Sequence, residues 1–307
     1  MKLAWRTILV GTDFSPESQL ALEHAVHIAR RTGARLVLAH AGTVLHSADA
    51  TLAPESPALI EYTRIVAEHE AENRSHLDDL VGSVRARGVE ADERLVDGFP
   101  DTGLVEAADE VEADLIAIGT HGRTGIKRFV LGSVAERVVR LSRRHVLVAR
   151  DAATHGYRRV LVPTDFSPLA ERALDTAIGL VADGGSIELF HAWHLPLTGS
   201  LVPGRVSEAA LEPVRLSVEQ GARDKAEALI AARRGGSIRF EITIVNEPPA
   251  RAIADRAEEV RPDLVVMGGH GHRGLRRWIL GSVAEAAVRH APASVLVVHD
   301  RRAGSES

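Results

Sequence analysis

Residues Asp114–Glu136 read DLIAIGTHGRTGIKRFVLGSVAE, and residues Asp263–Glu285 read DLVVMGGHGHRGLRRWILGSVAE. Each stretch begins with an apolar run that does not alternate, which is typical of a strand buried on both faces. Each continues through the spacing Gly-x2-Gly-x9-Gly-Ser and ends in the same five residues, GSVAE. A buried strand, a glycine-rich loop and the start of a helix are therefore predicted twice in this chain.

The rest of the chain repeats together with these stretches. The segment TDFSP follows an early apolar run and recurs 152 residues later, while the glycine pattern recurs after 149 residues. A second apolar run ends in His40-Ala41 in the first copy and in His191-Ala192 in the second. This pattern indicates a duplicated domain and not a periodic solenoid.

Strands and helices are predicted to alternate within each copy, in the order β-α-β-α-β-α-β-α-β. Such alternation favours a parallel sheet with right-handed crossovers. We predict an α/β protein of two tandem doubly wound domains, residues 1–150 and 158–300, with a small polar linker at 151–157. The strands that the apolar runs delimit are 7–11, 35–41, 93–97, 114–119, 145–149, 160–163, 187–193, 240–245 and 294–299.

The composition excludes several classes of protein. The formal net charge is -5 and the pI is about 6.3, whereas a nucleic-acid-binding domain is normally basic. The chain has no Cys, so disulfides, thiolate metal sites and cysteine catalysis are excluded. The apolar run before Asp13 is too short for a signal peptide or a membrane span. We expect a soluble cytoplasmic protein that contacts neither nucleic acid nor membrane.

The two glycine loops are the best candidates for a ligand site. If the fourth strand of each sheet lies beside the first, the loop opens at the switch point where open α/β sheets bind ligands. Asp13 and Asp165 end the first strand of each copy and would face that crevice. Glycines let backbone amides approach a phosphate, and Gly132 and Ser133 would add unpaired N–H groups at a helix start. An adenine ring would then fit against Asp13, with its exocyclic amine directed to the carboxylate or to the nearby backbone.

Several of these residues also have a structural interpretation. Ser133 and Ser282 each precede Val-Ala-Glu, which forms a capping box, so their hydroxyls are predicted to cap helices and to contact phosphate in addition. Asp13 and Asp165 are also typical of a solvated loop at a helix start.

Four histidines lie close to these motifs. His121 and His270 lie inside the glycine loops, where they either touch phosphate or face solvent. His40 and His191 end apolar runs and are predicted to be packed and not catalytic.

Motifs for catalysis are missing from the sequence. The loops lack the Gly-Lys-Ser/Thr ending of a P-loop. The basic pairs at 127–128 and 276–277 either guard a phosphate or are solvated. No Ser-His-Asp order, paired carboxylates or His-rich metal spacing is visible. The pattern therefore favours nucleotide binding over efficient hydrolysis.

These features resemble the universal stress protein family in its tandem two-domain form, over nearly the whole chain. TDFS after the first strand, the His-Ala step and the glycine spacing carry the resemblance, and the spacing marks the ATP-binding branch. It implies a sheet of order 3-2-1-4-5 in each domain and a role in stress responses. It also implies that the ligand is ATP, with AMP or ADP as alternatives and Mg²⁺ as a companion of the phosphates.

The resemblance also assigns binding roles by motif. The residues implied to bind nucleotide are Thr12, Asp13, Ala41, Gly119, His121, Gly122, Gly132, Ser133 and Val134 in the first copy, and Thr164, Asp165, Ala192, Gly268, His270, Gly271, Gly281, Ser282 and Val283 in the second. No catalytic residue and no metal ligand is predicted.

Three functions fit these patterns. The first is a nucleotide-dependent regulator with a protein partner that the sequence does not identify. The second is a slow ATPase or phosphotransferase using the same pockets, and the third is an interaction scaffold with vestigial pockets. The resemblance further implies that the last strands of the two domains pair into an internal pseudo-dimer, and that two chains can associate as a homodimer.

Overall fold

The computed structural model describes residues 3–42, 57–96, 98–122, 131–151, 156–194, 208–233, 236–270 and 280–300. The chain forms two compact units. The first unit is Ala4–Ala152, and the second is Ala153–Ser307 together with Met1–Leu3. Within the described residues, each unit contains five strands and four helices. No helix in this part of the chain has both the length and the apolar character needed to cross a bilayer.

Strands and helices alternate in the first unit. In chain order its elements are β1 (Thr7–Gly11), α1 (Pro16–Thr32), β2 (Arg35–Ala41), α2 (Pro57–Ala86), β3 (Ala91–Val96), α3 (Pro100–Glu110), β4 (Leu115–Gly119), α4 (Ser133–Leu141) and β5 (His145–Ala149).

The second unit repeats this order. Its elements are β6 (Tyr157–Pro163), α5 (Pro168–Leu180), β7 (Val181–Trp193), α6 (Glu208–Ala231), β8 (Arg239–Asn246), α7 (Pro249–Val260), β9 (Leu264–Gly268), α8 (Ser282–His290) and β10 (Val295–Val298).

The strand order confirms the predicted doubly wound fold. The strands lie in the order β3-β2-β1-β4-β5 in the first unit and β8-β7-β6-β9-β10 in the second. The pairs β1–β4 and β6–β9 are both parallel. Ile8 of β1 lies beside Leu115 of β4, and Val160 of β6 lies beside Leu264 of β9. The glycine loop of each unit therefore leaves the sheet next to the carboxyl end of the unit's first strand.

An aspartate at the start of each repeated stretch holds this strand pair together. The Asp114 carboxylate accepts hydrogen bonds from the backbone N–H groups of Arg6 (2.6 Å) and Thr7 (3.1 Å). Asp263 accepts the matching pair in the second unit, from Arg158 and Arg159, both at 2.7 Å. Because each aspartate immediately precedes β4 or β9, it fixes that strand against the beginning of β1 or β6.

The central strands are buried on both faces, as their unbroken apolar runs predict. Ile8, Leu9, Val10 and Ile116 are fully buried, and helices flank the sheet of each unit. Burying a side chain of this size contributes about 1.5–3 kcal/mol. The rigid core thus supports the loops at the carboxyl ends of the strands.

The first helix of each unit begins at the predicted cap. Ser15 accepts the N–H of Ser18 (3.2 Å) and Pro16 occupies the first turn of α1, which ends at Gly33 with φ 82°. Ser167 caps α5 in the same way by accepting the N–H of Ala170 (3.3 Å). The repeated Ser-Pro pair therefore starts both helices immediately after the TDF segments.

Three predicted strand starts were wrong by two residues or more. β3 spans 91–96 and not 93–97, and β7 begins at Val181, before a register shift against β6. β6 begins at Tyr157, which was placed in the linker, because the Tyr157 side chain is buried and the next two backbone N–H groups bind Asp263.

Candidate functional site

A tight turn presents Asp13 at the end of β1. The N–H of Phe14 donates to Oγ1 of Thr12 (3.1 Å), and Oδ1 of Asp13 accepts from both the N–H (3.2 Å) and the hydroxyl (2.5 Å) of Ser15. Phe14 has φ 64°, which is an uncommon conformation for a bulky residue. Side-chain oxygens of Thr12, Asp13 and Ser15 therefore shape this turn.

The second unit builds the same turn. The N–H of Phe166 donates to Oγ1 of Thr164 (3.0 Å), and the N–H of Ser167 donates to Oδ1 of Asp165 (3.0 Å). Phe166 has φ 62°. Asp13 and Asp165 are both half-buried, so each carboxylate reaches the surface at the carboxyl end of its sheet.

The structure brings Gly122 against Asp13, as the predicted crevice requires. A Cβ atom on Gly122 would collide with Oδ2 of Asp13. Only a glycine lets the loop backbone lie this close to the carboxylate. The matching Gly271 lies outside the described residues, as do the basic pairs at 127–128 and 276–277.

The glycines that end β4 and β9 have a packing role. A Cβ on Gly119 would lie 2.7 Å from the backbone carbonyl of Glu17, in the first turn of α1. At Gly268 the nearest atom is Cγ of Leu169, at 3.1 Å. These glycines allow the strand end to approach the helix that follows the Asp turn, and their contact with phosphate stays a prediction.

Both glycine loops also share a backbone hydrogen bond immediately before the helix start. The N–H of Gly132 donates to the carbonyl of Thr120 (2.8 Å), and the N–H of Gly281 donates to the carbonyl of Gly269 (2.7 Å). The expectation that Gly132 carries an unpaired N–H was therefore wrong. Each loop is instead closed by its own backbone, which fixes where α4 and α8 begin.

The predicted capping boxes were also wrong. Gly132 and Gly281 are the N-cap residues, with extended backbone, and neither helix has a side-chain cap. Ser133 and Ser282 are one residue too late to cap, because the glycine carbonyls already accept the N–H groups of Glu136 (3.0 Å) and Glu285 (2.9 Å). Both serines are exposed.

The start of α4 consequently offers three backbone amides. Glu136 is the first residue whose N–H is bonded within the helix, so the amides of Ser133, Val134 and Ala135 have no intrahelical acceptor. The same reasoning applies to Ser282, Val283 and Ala284 in α8. These amides and the helix dipole form the local electrostatics that favour an anion.

His121 lies beside this helix start. Its Nδ1 is 3.0 Å from Oγ1 of Thr120. Burial, followed by the charge of Arg150, lowers the pKa of His121, and Glu17 raises it in part. Its Nε2 is shielded from solvent and has no hydrogen-bond partner among the described residues. A shielded nitrogen without a partner is unusual in a protein structure.

The histidine of the second loop has different neighbours. The His299 ring occupies the space beside Gly269, with Cε1 3.1 Å from the position a Cβ would take. Burial, and then the charge of His270, lowers the pKa of His299 to about 4. His270 itself is half-buried. Because Thr120 and Arg150 stand at the matching positions of the first unit, the two loops differ at this point.

Ala41 and Ala192 lie at the same edge of their sheets. Ala41 is the last residue of β2, and Ala192 is the residue before the end of β7. Both are half-buried. Their backbones are placed on the far side of β1 or β6 from the glycine loop, so the Asp turn lies between the two.

His40 and His191 are packed, as predicted, but they also make a contact that the sequence did not reveal. Each Nδ1 lies 2.8 Å from a backbone carbonyl in the Asp turn, that of Thr12 or Thr164. The only signal for this contact was the repetition of the His-Ala step in both copies.

One further contact at the turn was missed. His76 of α2 meets the edge of the Phe14 ring, at 5.3 Å between centroids, and Nζ of Lys225 in α6 lies 5.8 Å from the Phe166 centroid. His76 and Lys225 occupy matching positions, 149 residues apart like the repeated glycines. Across the described ranges, no group of three or more His, Asp or Glu side chains is arranged to hold a metal.

Comparison with known proteins establishes the family of this chain. A model of the universal stress protein family matches residues 4–150 and, a second time, residues 156–299. The chain belongs to the universal stress protein family. As the sequence predicted, it is a tandem protein with two domains of this family.

Several universal stress proteins are similar to this chain. Universal stress protein Rv2005c of Mycobacterium tuberculosis is 31% identical over 226 residues, which cover 71% of this chain and 72% of that protein. Universal stress protein MJ0531 of Methanocaldococcus jannaschii is 31% identical over 146 residues, covering 48% of this chain and 82% of that protein. The crystal structure of a universal stress protein from Archaeoglobus fulgidus shares the fold, with a TM-score of 0.66, 24% identity and coverage of 96% and 98% of the two chains.

Proposed function

We propose that this universal stress protein binds an adenine nucleotide, ATP foremost, in each unit and acts in stress responses as a nucleotide-dependent regulator. The observation that carries the proposal is the contact of Gly122 with the Asp13 carboxylate. It brings a hydrogen-bond acceptor and a glycine loop into one crevice at the switch point of the sheet, where ligands bind in this class of fold.

The first unit supplies groups for both ends of a nucleotide. The exocyclic amine of adenine is a donor, which a carboxylate such as that of Asp13 accepts. Phosphates are anions, which the amides of Ser133 and Val134, having no acceptor within the helix, attract at the start of α4. His121 adds a shielded Nε2 without a partner in the described part of the chain. A bound nucleotide would satisfy these donors and acceptors together.

The second unit repeats the parts of this site that are described. Asp165 stands in the same turn as Asp13, and α8 begins at Gly281 and Ser282 with the same backbone closure. The role of Gly271 rests on the sequence repeat alone. We infer two sites per chain, each formed within one unit.

The protein would hold the nucleotide without efficient hydrolysis, so that occupancy of the sites is the regulatory signal. Mg²⁺ would accompany the phosphates, and AMP or ADP would bind through the same adenine contacts. Pairing of the two domains through their last strands, a homodimer, a regulatory protein partner and a cytoplasmic location belong to this proposal as well.

Isothermal titration calorimetry with ATP tests whether each unit binds the nucleotide. Gly122→Ala places a methyl group against Asp13 and is expected to weaken ATP binding in the first unit by at least about tenfold, which corresponds to about 1.4 kcal/mol. The second site should still bind. Gly82→Ala is the matched control, because a Cβ at Gly82 in α2 meets nothing within 4 Å.

Two results would contradict the proposal. One is wild-type protein that shows no heat of binding at millimolar ATP, and the other is a Gly122→Ala protein that binds like wild type at both sites. Phosphate release measured on the same samples reports any hydrolysis, and loss of that release in Gly122→Ala would assign it to the first site.

A further inference from the structure

His40 holds the carbonyl that precedes Asp13. The N–H of Thr12 donates to the carbonyl of Ala39 in β2 (2.8 Å), and the Thr12 carbonyl lies 2.8 Å from Nδ1 of His40. A carbonyl only accepts, so Nδ1 of His40 carries the hydrogen. Thr12 is thereby bonded to β2 through both its backbone groups, and His40, which is 7% exposed, is packed in place to do so.

His40 also supports the residue that follows Asp13. Its ring lies 4.6 Å from the ring of Phe14. Phe14 adopts φ 64°, which costs free energy for a large side chain unless other contacts compensate. Stacking on the imidazole is such a contact. One side chain therefore fixes both neighbours of Asp13.

The second unit reproduces this arrangement with independent residues. The N–H of Thr164 donates to the carbonyl of Phe190 (2.9 Å), and the Thr164 carbonyl lies 2.8 Å from Nδ1 of His191. The Phe166 ring lies 4.7 Å from the His191 ring. The helix residue on the other side of the phenylalanine has changed between the units, from His76 to Lys225, whereas the histidine of the strand has not.

We propose that His40 and His191 are positioning residues that orient Asp13 and Asp165 and thereby set the preference for adenine over guanine. This inference rests on the proposed function. Adenine presents an amine at the position where guanine presents a carbonyl oxygen. A carboxylate held in a fixed direction accepts from the amine and repels the oxygen, whereas a carboxylate that can turn away discriminates less.

The test measures ATP and GTP affinities of the first site in an Asp165→Ala background, which disables the second. His40→Phe keeps an aromatic ring against Phe14 but removes the donor to Thr12. We expect ATP affinity to fall about fivefold to tenfold, a loss of the size of one hydrogen bond, with little change for GTP. His40→Asn, whose amide can donate to Thr12, is expected to recover part of the ATP preference.

A double-variant cycle separates positioning from general stability. With Asp13→Asn already present, His40→Phe should have little further effect on ATP affinity, because the carboxylate that His40 orients is gone. His76→Phe is the control, since it alters another ring contact of Phe14 without touching Thr12. His191→Phe in an Asp13→Ala background repeats the test for the second site.

The outcomes distinguish this inference from the proposed function. An equal loss of ATP and GTP affinity in His40→Phe, or a full additional loss in the Asp13→Asn background, overturns the positioning role while nucleotide binding stands. Absence of ATP binding in the parent protein overturns both. Should His40→Phe not fold, His40→Leu, which also removes the donor to Thr12, would equally overturn it by folding with an unchanged ATP-to-GTP ratio.

Discussion

The two units of this protein keep the same Asp turn but stabilise their sheets differently. Val37 of β2 and Ala107 of α3 are buried apolar residues in the first unit. At the matching positions the second unit has Glu188 and Arg256, which form an ion pair at 2.8 Å. The hydrogen bonds of the Asp13 turn and the Asp165 turn, by contrast, agree in partners and closely in length.

This contrast indicates which parts of the duplicated domain are constrained. A core position can change from an apolar side chain to a carboxylate if a partner changes with it, since packing only requires that volume be filled and charges be paired. The Asp turn, in contrast, keeps both its residues and its hydrogen bonds in the two units. This shared geometry is what the proposed ligand site requires.

The largest expected effect concerns the ion pair between the buried Glu188 and the half-buried Arg256. Arg256→Ala removes the cation from Glu188, which is 8% exposed, and is predicted to lower the free energy of unfolding of the second unit by about 3 kcal/mol. Oγ1 of Thr243 still donates to the Glu188 carboxylate at 2.6 Å. Urea unfolding followed by hydrogen exchange, which reports each unit separately, measures the loss.

Arg251→Ala is the control for this experiment. Arg251 lies on the same helix and pairs with Asp255 at the surface, so its removal should cost at most about 0.5 kcal/mol. Equal losses in the two variants would show that the second unit does not depend on its buried pair.

The next effect concerns pH and a histidine that only the first unit has. His24 is 1% exposed, and its Nε2 donates to the carbonyl of Asp151 (2.7 Å). Burial lowers the pKa of His24 from 6.5 to about 4. The unfolded chain therefore binds a proton that the folded unit excludes, so stability is complete above pH 6.5 and falls as the pH drops towards about 4.

His24→Thr introduces the residue of the second unit, Thr176, and should flatten this dependence. Between pH 7 and pH 4, titration of His24 is expected to lower the free energy of unfolding of the wild-type first unit by about 2–3 kcal/mol. His24→Thr should abolish this decrease, as measured by urea unfolding at each pH. His69→Thr, at an exposed position, should leave the slope of stability against pH as it is. A His24→Thr protein with the wild-type slope would contradict the assignment.

The smallest expected effect is the difference in stability between alanine variants of the matching glycines at the ends of β4 and β9. Gly119→Ala drives a methyl group into the backbone of Glu17 and is predicted to cost about 2 kcal/mol. Gly268→Ala meets the side chain of Leu169, which can move, and is predicted to cost less than about 1 kcal/mol. Thermal unfolding of the two variants checks the order. A larger loss of stability in Gly268→Ala than in Gly119→Ala would contradict the assignment of the tighter backbone contact to Gly119.

The sequence allowed the fold and the crevice to be predicted because both depend on patterns that recur. Unbroken apolar runs, a Ser-Pro helix start and two copies of the glycine spacing are enough to place Asp13 and Gly122 at one edge of a doubly wound sheet. Each copy supported the interpretation of the other, which a single glycine pattern would not have allowed.

Two features of the site were not predictable, for physical reasons. The pattern Ser-x-x-Glu does not show which of two adjacent residues takes the extended N-cap backbone, and here Gly132 takes it and Ser133 does not. The bond from His40 to Thr12 joins a side chain to the backbone of a neighbouring strand. Its existence depends on strand register and ring orientation, which apolar periodicity does not encode.

The most direct test of the central claim is the amount of nucleotide held by each chain. Wild-type protein saturated with ATP, freed of unbound ligand and denatured by heat is expected to release two adenine nucleotides per chain, and Gly122→Ala is expected to release one, from the second unit. Release of no nucleotide from wild-type protein, or of equal amounts from both proteins, would contradict the claim that each unit contains its own adenine-nucleotide site.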